Sequence, residues 1–163
     1  MSADDAGDGW FAVVDAAQDP RLYGLIKSAR SNACLFSGKL SYDLAAASPH
    51  VVRLRPEEPL LEAWRTAGAG KNWGIMCRSV QSLDYLRKHF RKFLQAKLPD
   101  GMIAMFRFYD PRVFNTYIRA AMPEERKPWF DGIGVIAVEG APGKVHNYHM
   151  RGDRLFDADV SVD

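Results

Sequence analysis

The residues best suited to chemistry in this sequence lie in the run RFYDPRVF, where Arg107, Asp110 and Arg112 stand within six positions, together with Asp15 at the end of WFAVVD. A carboxylate flanked by guanidinium groups can be held ionised and can orient a polar substrate. Asp15, Arg107, Asp110 and Arg112 around a strand end would therefore suit a small hydrolase or a phosphoryl-handling enzyme. The same residues also have an architectural reading. Asp110 followed by Pro111 places a helix cap directly before a proline at the first helical position. Arg107, set among apolar neighbours in MIAMFRFY, needs an internal carboxylate such as Asp15 or a cluster of carbonyls.

Other chemical signals are weaker. His146 and His149 have the spacing HxxH, but residues three apart on a strand point to opposite faces, which spoils joint metal ligation. Cys34 and Cys77 belong to neither CxxC nor Cys-His spacing, which suits a reducing compartment and buried, inert thiols. His50 and His89 are isolated, and no GxSxG, HExxH or phosphate-loop pattern occurs. The run Gly68-Ala69-Gly70-Lys71 lacks the length and the trailing Ser or Thr of a phosphate loop and reads as a helix-to-strand turn. Arg151-Gly152-Asp153 is a tripeptide that recurs by chance. Neither a metal nor a cofactor is expected.

The elements that must position these residues are legible from periodicity and caps. Residues 10–15 read as a buried strand, followed by a helix whose stripe is Leu22, Leu25, Ile26 and Ala29, with Asp19-Pro20 at its start. A less regular stretch, with a short helix over 42–47, leads to a strand over 50–54, a helix over 60–67 and a strand over 73–77. Ser82 caps the clearest helix, with Leu83, Leu86, Phe90, Phe93 and Leu94 on one face and Arg87, Lys88, Arg91 and Lys92 on the other. That basic stripe suits either a solvated face or a dock for an acidic partner. Residues 95–98 and 102–109 read as a hairpin around Pro99-Asp100-Gly101, and the apolar side chains on both faces of MIAMFRFY predict a central strand. A helix then carries Val113, Phe114, Tyr117, Ile118 and Ala121, residues 123–128 form a polar connection, and strands over 133–138 and 145–150 end in an antiparallel hairpin.

This alternation predicts one α/β domain with a mixed β-sheet, helices packed on it and a C-terminal antiparallel hairpin. The expected boundaries are a flexible N-terminus over 1–9, the domain over 10–150 and a tail over 151–163. With 163 residues, 47% of them hydrophobic, the chain can bury one substantial core. Twenty-two basic against 20 acidic residues leave a net charge of +2, which gives no global drive toward nucleic acid or membrane. No leader peptide and no membrane-spanning run is visible, so a cytoplasmic location is expected.

Several blocks together resemble a known family: WFAVVDAAQDPRLYGLI, LFSGKL, SPHVVRL, WGIMCRS, SLDYLRKHFRKFL and PDGMIAMFRFYDPRVF. They are similar to the type VI secretion adaptor-chaperone domain, long catalogued as a domain of unknown function, over about residues 10–138. The resemblance implies a non-enzymatic adaptor that binds a secreted effector protein in the cytoplasm and helps load it onto the VgrG spike, with no cofactor. In that reading Tyr109 and Arg112 face a partner at the corner that Asp15, Arg107, Asp110 and Pro111 build. Arg87, Lys88, Arg91 and Lys92 would steer an acidic surface toward it.

Overall fold

The computed structural model describes residues 7–163. Ten strands form: β1 (Gly9–Asp15), β2 (Asn32–Cys34), β3 (Pro49–Arg53), β4 (Gly74–Ser79), β5 (Gln95–Lys97), β6 (Ile103–Met105), β7 (Val135–Glu139), β8 (Val145–Arg151), β9 (Arg154–Asp157) and β10 (Val160–Ser161). Six helices accompany them: α1 (Leu22–Ser28), α2 (Tyr42–Ala45), α3 (Pro59–Ala63), α4 (Leu83–Arg91), α5 (Pro111–Ala120) and α6 (Pro123–Arg126). Eight strands make one sheet in the order β10-β9-β8-β7-β4-β1-β3-β2, and each described neighbour pair is antiparallel. The chain is a single mixed α/β domain that ends in strands.

Strand β1 lies inside the sheet because both of its faces are apolar. Phe11 and Val13 point into a core shared with Leu86 and Phe90 of α4 and Phe114 and Ile118 of α5. Ala12 and Val14 point the other way, toward Leu22 and Ile26 of α1 and Leu60 of α3. The sheet therefore has a helical layer on each side of its β3–β1–β4 part. Gly74 permits the tight β1–β4 approach, since a Cβ there would lie 1.9 Å from the carbonyl oxygen of Val13. Farther along, the second layer gives out: Val135, Ala137, Asn147, His149 and Phe156 lie on the α1/α3 side of β7, β8 and β9 and are all half-exposed.

The larger core is organised around Trp129. Its ring stacks on Phe93 at a centroid distance of 3.8 Å, and Phe108, Phe114, Tyr117 and Phe106 approach it steeply at 5.1, 5.3, 5.7 and 6.2 Å. This cluster overturns one expectation. Residues 102–109 do not form a central strand: only Ile103–Met105 are extended, and they pair solely with β5 in a separate two-stranded ribbon. The chain leaves the ribbon at Phe106 because Phe106 and Phe108 both turn inward to Trp129, and the backbone then closes a turn in which Asp110 N–H bonds to Arg107 C=O at 3.0 Å.

Two further expectations change. The polar connection over 123–128 contains a helix, α6, whose Arg126 is buried; its guanidinium donates to the carbonyls of Ile118 and Arg119 at 2.8 Å each and to Asp163 Oδ1 at 2.6 Å. Arg126 thus satisfies carbonyls left open at the end of α5. The segment 151–163 is no tail beyond the domain, because β9 and β10 extend the sheet there. Of the N-terminal stretch expected to be flexible, residues 1–6 lie outside the described residues, whereas Asp8 bonds to Arg78 at 2.5 Å and Gly9 begins β1. No helix among the described residues is long and apolar enough to cross a membrane.

Two buried histidines give the fold a pH dependence. His89 Nε2 donates to the carbonyl of Trp129 at 2.9 Å and His50 Nε2 to that of Ala45 at 2.8 Å, while both Nδ1 atoms are buried with no partner among the described residues. Burial, opposed by these carbonyl bonds, depresses both rings below their ordinary value of 6.5. The folded state then keeps them neutral where the unfolded chain takes up protons. Their stabilisation is complete above pH about 6.5 and is lost as the pH falls from there toward the folded values. Urea midpoints taken between pH 7.5 and 5 should therefore decline, and the decline should flatten in a His50→Gln/His89→Gln variant. An equal slope in both proteins would remove the histidines from the account.

Candidate functional site

The corner after the ribbon is built from β1, the turn at 107–110 and the start of α5. Asp15 ends β1 with its backbone N–H bonded to the carbonyl of Trp73 at 2.8 Å, and its side chain is enclosed. The carboxylate accepts from Ala17 N–H at 3.1 Å, from Gln18 Nε2 at 2.9 Å and from a guanidinium nitrogen of Arg107 at 2.7 Å. The first of these bonds also caps the short 3-10 turn Ala16–Gln18. The expected Arg107–Asp15 partnership is present, with a difference in burial. The carboxylate side chain is only 3% exposed, whereas that of Arg107, which lies outside any strand, is 51% exposed.

Asp110 caps α5 through Arg112 N–H at 2.9 Å and holds the Arg112 guanidinium with two further bonds of 3.1 and 2.7 Å. Burial pushes this carboxyl up, but the bonds from the Arg112 side chain and backbone outweigh it and hold Asp110 below the ordinary carboxylate value. Pro111 is buried at the first helical position. Tyr109 is 3% exposed, with Arg107 5.9 Å from its ring centroid, so its ring packs the corner rather than facing a partner. Burial, followed by the charge of Asp15, pushes the Tyr109 phenol up and keeps it neutral. Of the two residues expected to meet a partner here, Arg112 alone reaches the surface.

The four charged groups do not converge on a cleft. An open hollow of about 550 Å³ lies beside the corner, bounded by Gly70, Asn72, Arg112, Glu139 and Lys144 among others, and Arg112 is the one corner group that lines it. Both carboxylates are consumed by bonds that shape the backbone. The Cys77 thiol is pushed up to about 12 by burial, too high for a nucleophile at neutral pH. Among the described residues no group of three His, Cys, Asp or Glu side chains could hold a metal ion.

The basic stripe of α4 divides into two halves. Arg87 and Lys88 share Asp84 at 3.1 and 3.0 Å, whereas Arg91 donates to the carbonyl of Leu35 at 2.7 Å and the Lys92 ammonium lies 5.9 Å from the Phe93 ring centroid. The C-terminal half continues into the ribbon, whose apolar side chains Leu98, Met102, Ile103 and Met105 are exposed. Sequence reasoning missed this patch because apolar residues on both faces of a strand are the signature of a buried strand. The signal that was present is the Pro99-Asp100-Gly101 turn with apolar residues on either side.

A second network was not singled out either. Asp157 accepts from His146 Nδ1 at 2.7 Å and from Asn147 N–H at 2.8 Å, while the Tyr148 hydroxyl accepts from Arg119 at 3.0 Å and donates to Asn115 at 2.7 Å. It pins α5 to β8 and β9. His149, on the opposite face from His146, bonds instead to the carbonyl of Ala158.

Removing Arg107 leaves a buried carboxylate with two neutral donors. Arg107→Ala should cost about 2 kcal/mol of unfolding free energy, less than breaking a fully buried pair because water reaches the guanidinium side. Arg107→Lys should recover part of it. Urea denaturation reads this directly, and an unchanged midpoint for Arg107→Ala would contradict the architectural role.

No curated protein and no solved structure matches the chain. One family does, described as a domain of unknown function, DUF4123, and its match spans residues 10–128, from the start of β1 through the RFYDPRVF corner and α5 to the edge of the Trp129 cluster. Because that match covers well over half of the sequence, the chain belongs to the DUF4123 family.

Proposed function

We propose that this protein is an adaptor that binds a type VI secretion effector in the cytoplasm and promotes its loading onto the VgrG spike. Apolar surface that the fold leaves uncovered carries this reading. The α1/α3 layer stops short of β7–β9, and an open groove of about 950 Å³ runs beside that half, its apolar wall formed by Trp10, Leu54, Leu61, Met76, Ala137 and Val145 and its charged rim by Asp8, Arg30, Arg53, Arg55, Glu57 and Arg65. The exposed ribbon adds a second apolar surface on another part of the molecule. Uncovered apolar surface flanked by polar groups is typical of protein-binding sites. Two separate surfaces suit a molecule that must touch two partners.

The alternative, a hydrolase or phosphoryl-handling enzyme at the corner, would require a carboxylate open to substrate. Asp15 is enclosed and Asp110 is occupied by Arg112, so the geometry favours binding over reaction there.

Co-expression of this protein with its cognate effector and VgrG should give a complex that survives size-exclusion chromatography. Deleting it should block delivery of that effector while other secretion continues. Normal effector delivery after deletion would overturn the adaptor reading.

A further inference from the structure

We infer that the β5–β6 ribbon and the C-terminal end of α4 form one docking surface for an acidic amphipathic segment of a partner protein. The inference rests on the adaptor reading for its biological setting and on the following geometry for its chemistry. The base of the ribbon is fixed: Phe106 N–H bonds to the carbonyl of Leu94 at 2.7 Å, and both side chains pack with the Trp129 core. Beyond that base Ala96 and Ala104 on one face of the ribbon are half-buried, whereas Gln95, Lys97, Ile103 and Met105 on the other are exposed. Ile103 and Met105, 66 and 54% exposed, share one ribbon face with Gln95 and Lys97, while Leu98 and Met102, 42 and 65% exposed, lie at its turn end, aliphatic surface that water solvates poorly. Two of the four are methionines, whose flexible side chains adapt to varied apolar partners.

Cations border the same surface. Lys92 and Lys97 are exposed and Arg91 half-exposed, and none of the three meets a carboxylate within ion-pair distance among the described residues. A shallow groove of about 480 Å³ joins the two features, lined by Leu35, Phe36, Leu94 and Met105 together with Ser37, Arg91, Lys92 and Gln95. The occupant that satisfies both is a segment with one apolar stripe and carboxylates along its flank. A second copy of this chain fits poorly, because a self-paired surface sets the same lysines against one another. An anionic bilayer fits poorly as well. Asp100 sits in the ribbon's turn, its Oδ1 holding Met102 N–H at 2.9 Å, so the part that would enter first carries a carboxylate.

The test uses the full chain and two labelled synthetic helical peptides. One has leucines at i, i+3, i+4 and i+7 with glutamates on both flanks, and its twin has lysine for every glutamate. By fluorescence anisotropy the glutamate peptide should bind, more weakly as salt rises, and the lysine twin should not. Ile103→Ser/Met105→Ser and Lys92→Gln/Lys97→Gln should each weaken binding by about tenfold or more while leaving the urea midpoint nearly unchanged, since all four side chains lie at the surface and no carboxylate is placed at the C-terminal end of α4. Equal binding of both peptides, binding of neither, or indifference to the variants would overturn the inference. So would ribbon-dependent dimerisation in sedimentation, or ribbon-dependent binding to phosphatidylserine vesicles. The same variants in the co-expressed complex separate the two claims. An effector complex that forms regardless of them retains the adaptor and removes this surface, whereas peptide binding without any effector complex retains the surface and removes the adaptor.

Discussion

The Arg107–Asp15 ion pair joins residues 92 positions apart and fixes where the second half of the chain begins. Asp15 closes β1, an interior strand of the sheet, and Arg107 opens the turn that aims α5. Besides that charged bond at 2.7 Å, the turn is held by the Phe106 N–H bond to the Leu94 carbonyl at 2.7 Å and by its aromatic neighbours. Asp110 then converts the turn into a helix start, and α5 brings Phe114 and Ile118 onto the sheet while Arg126 closes its far end. The run RFYDPRVF is thus a folding joint: each polar side chain in it except the phenol of Tyr109 is engaged in defining a backbone direction.

Local chemistry made much of this legible in the sequence. The cap at Ser82, the cap at Asp110 with Pro111 behind it, and the two-faced apolar pattern of residues 10–15 each specify a structure within a few residues, and each formed as read. The errors arose where long-range packing decided the outcome. Residues 102–109 carry the pattern of a buried strand, yet Trp129 draws Phe106 and Phe108 out of extension and leaves Met102, Ile103 and Met105 at the surface. Periodicity reports which side chains are apolar; it does not report whether a second layer exists to cover them. The same limit applies to Tyr109, whose burial depends on neighbours supplied by distant segments.

The site was legible only in outline. Asp15, Arg107, Asp110 and Arg112 do assemble into one corner, but their mutual bonds use up the groups that a substrate would need. The basic stripe of α4 read as one surface of four charges, but Asp84, shared by Arg87 and Lys88, engages both groups and cancels one of their two charges. The other pair, Arg91 and Lys92, acquires meaning from the ribbon beside it, and that adjacency is a property of the fold.

The separation between the ribbon's fixed base and its free turn has an evolutionary consequence. Core residues constrain one another, so a change at Trp129 or Phe93 must be met by changes around it. Residues 98–103 have no such obligations, because their side chains contact little of the domain that carries them. Apart from Gly101, whose φ of +85° favours glycine, and Asp100, which holds the turn through Met102 N–H, substitutions there can accumulate with little effect on folding. A lineage could retain one scaffold and diversify this turn as rapidly as its binding targets change, much as antibody loops vary on an unchanging sandwich.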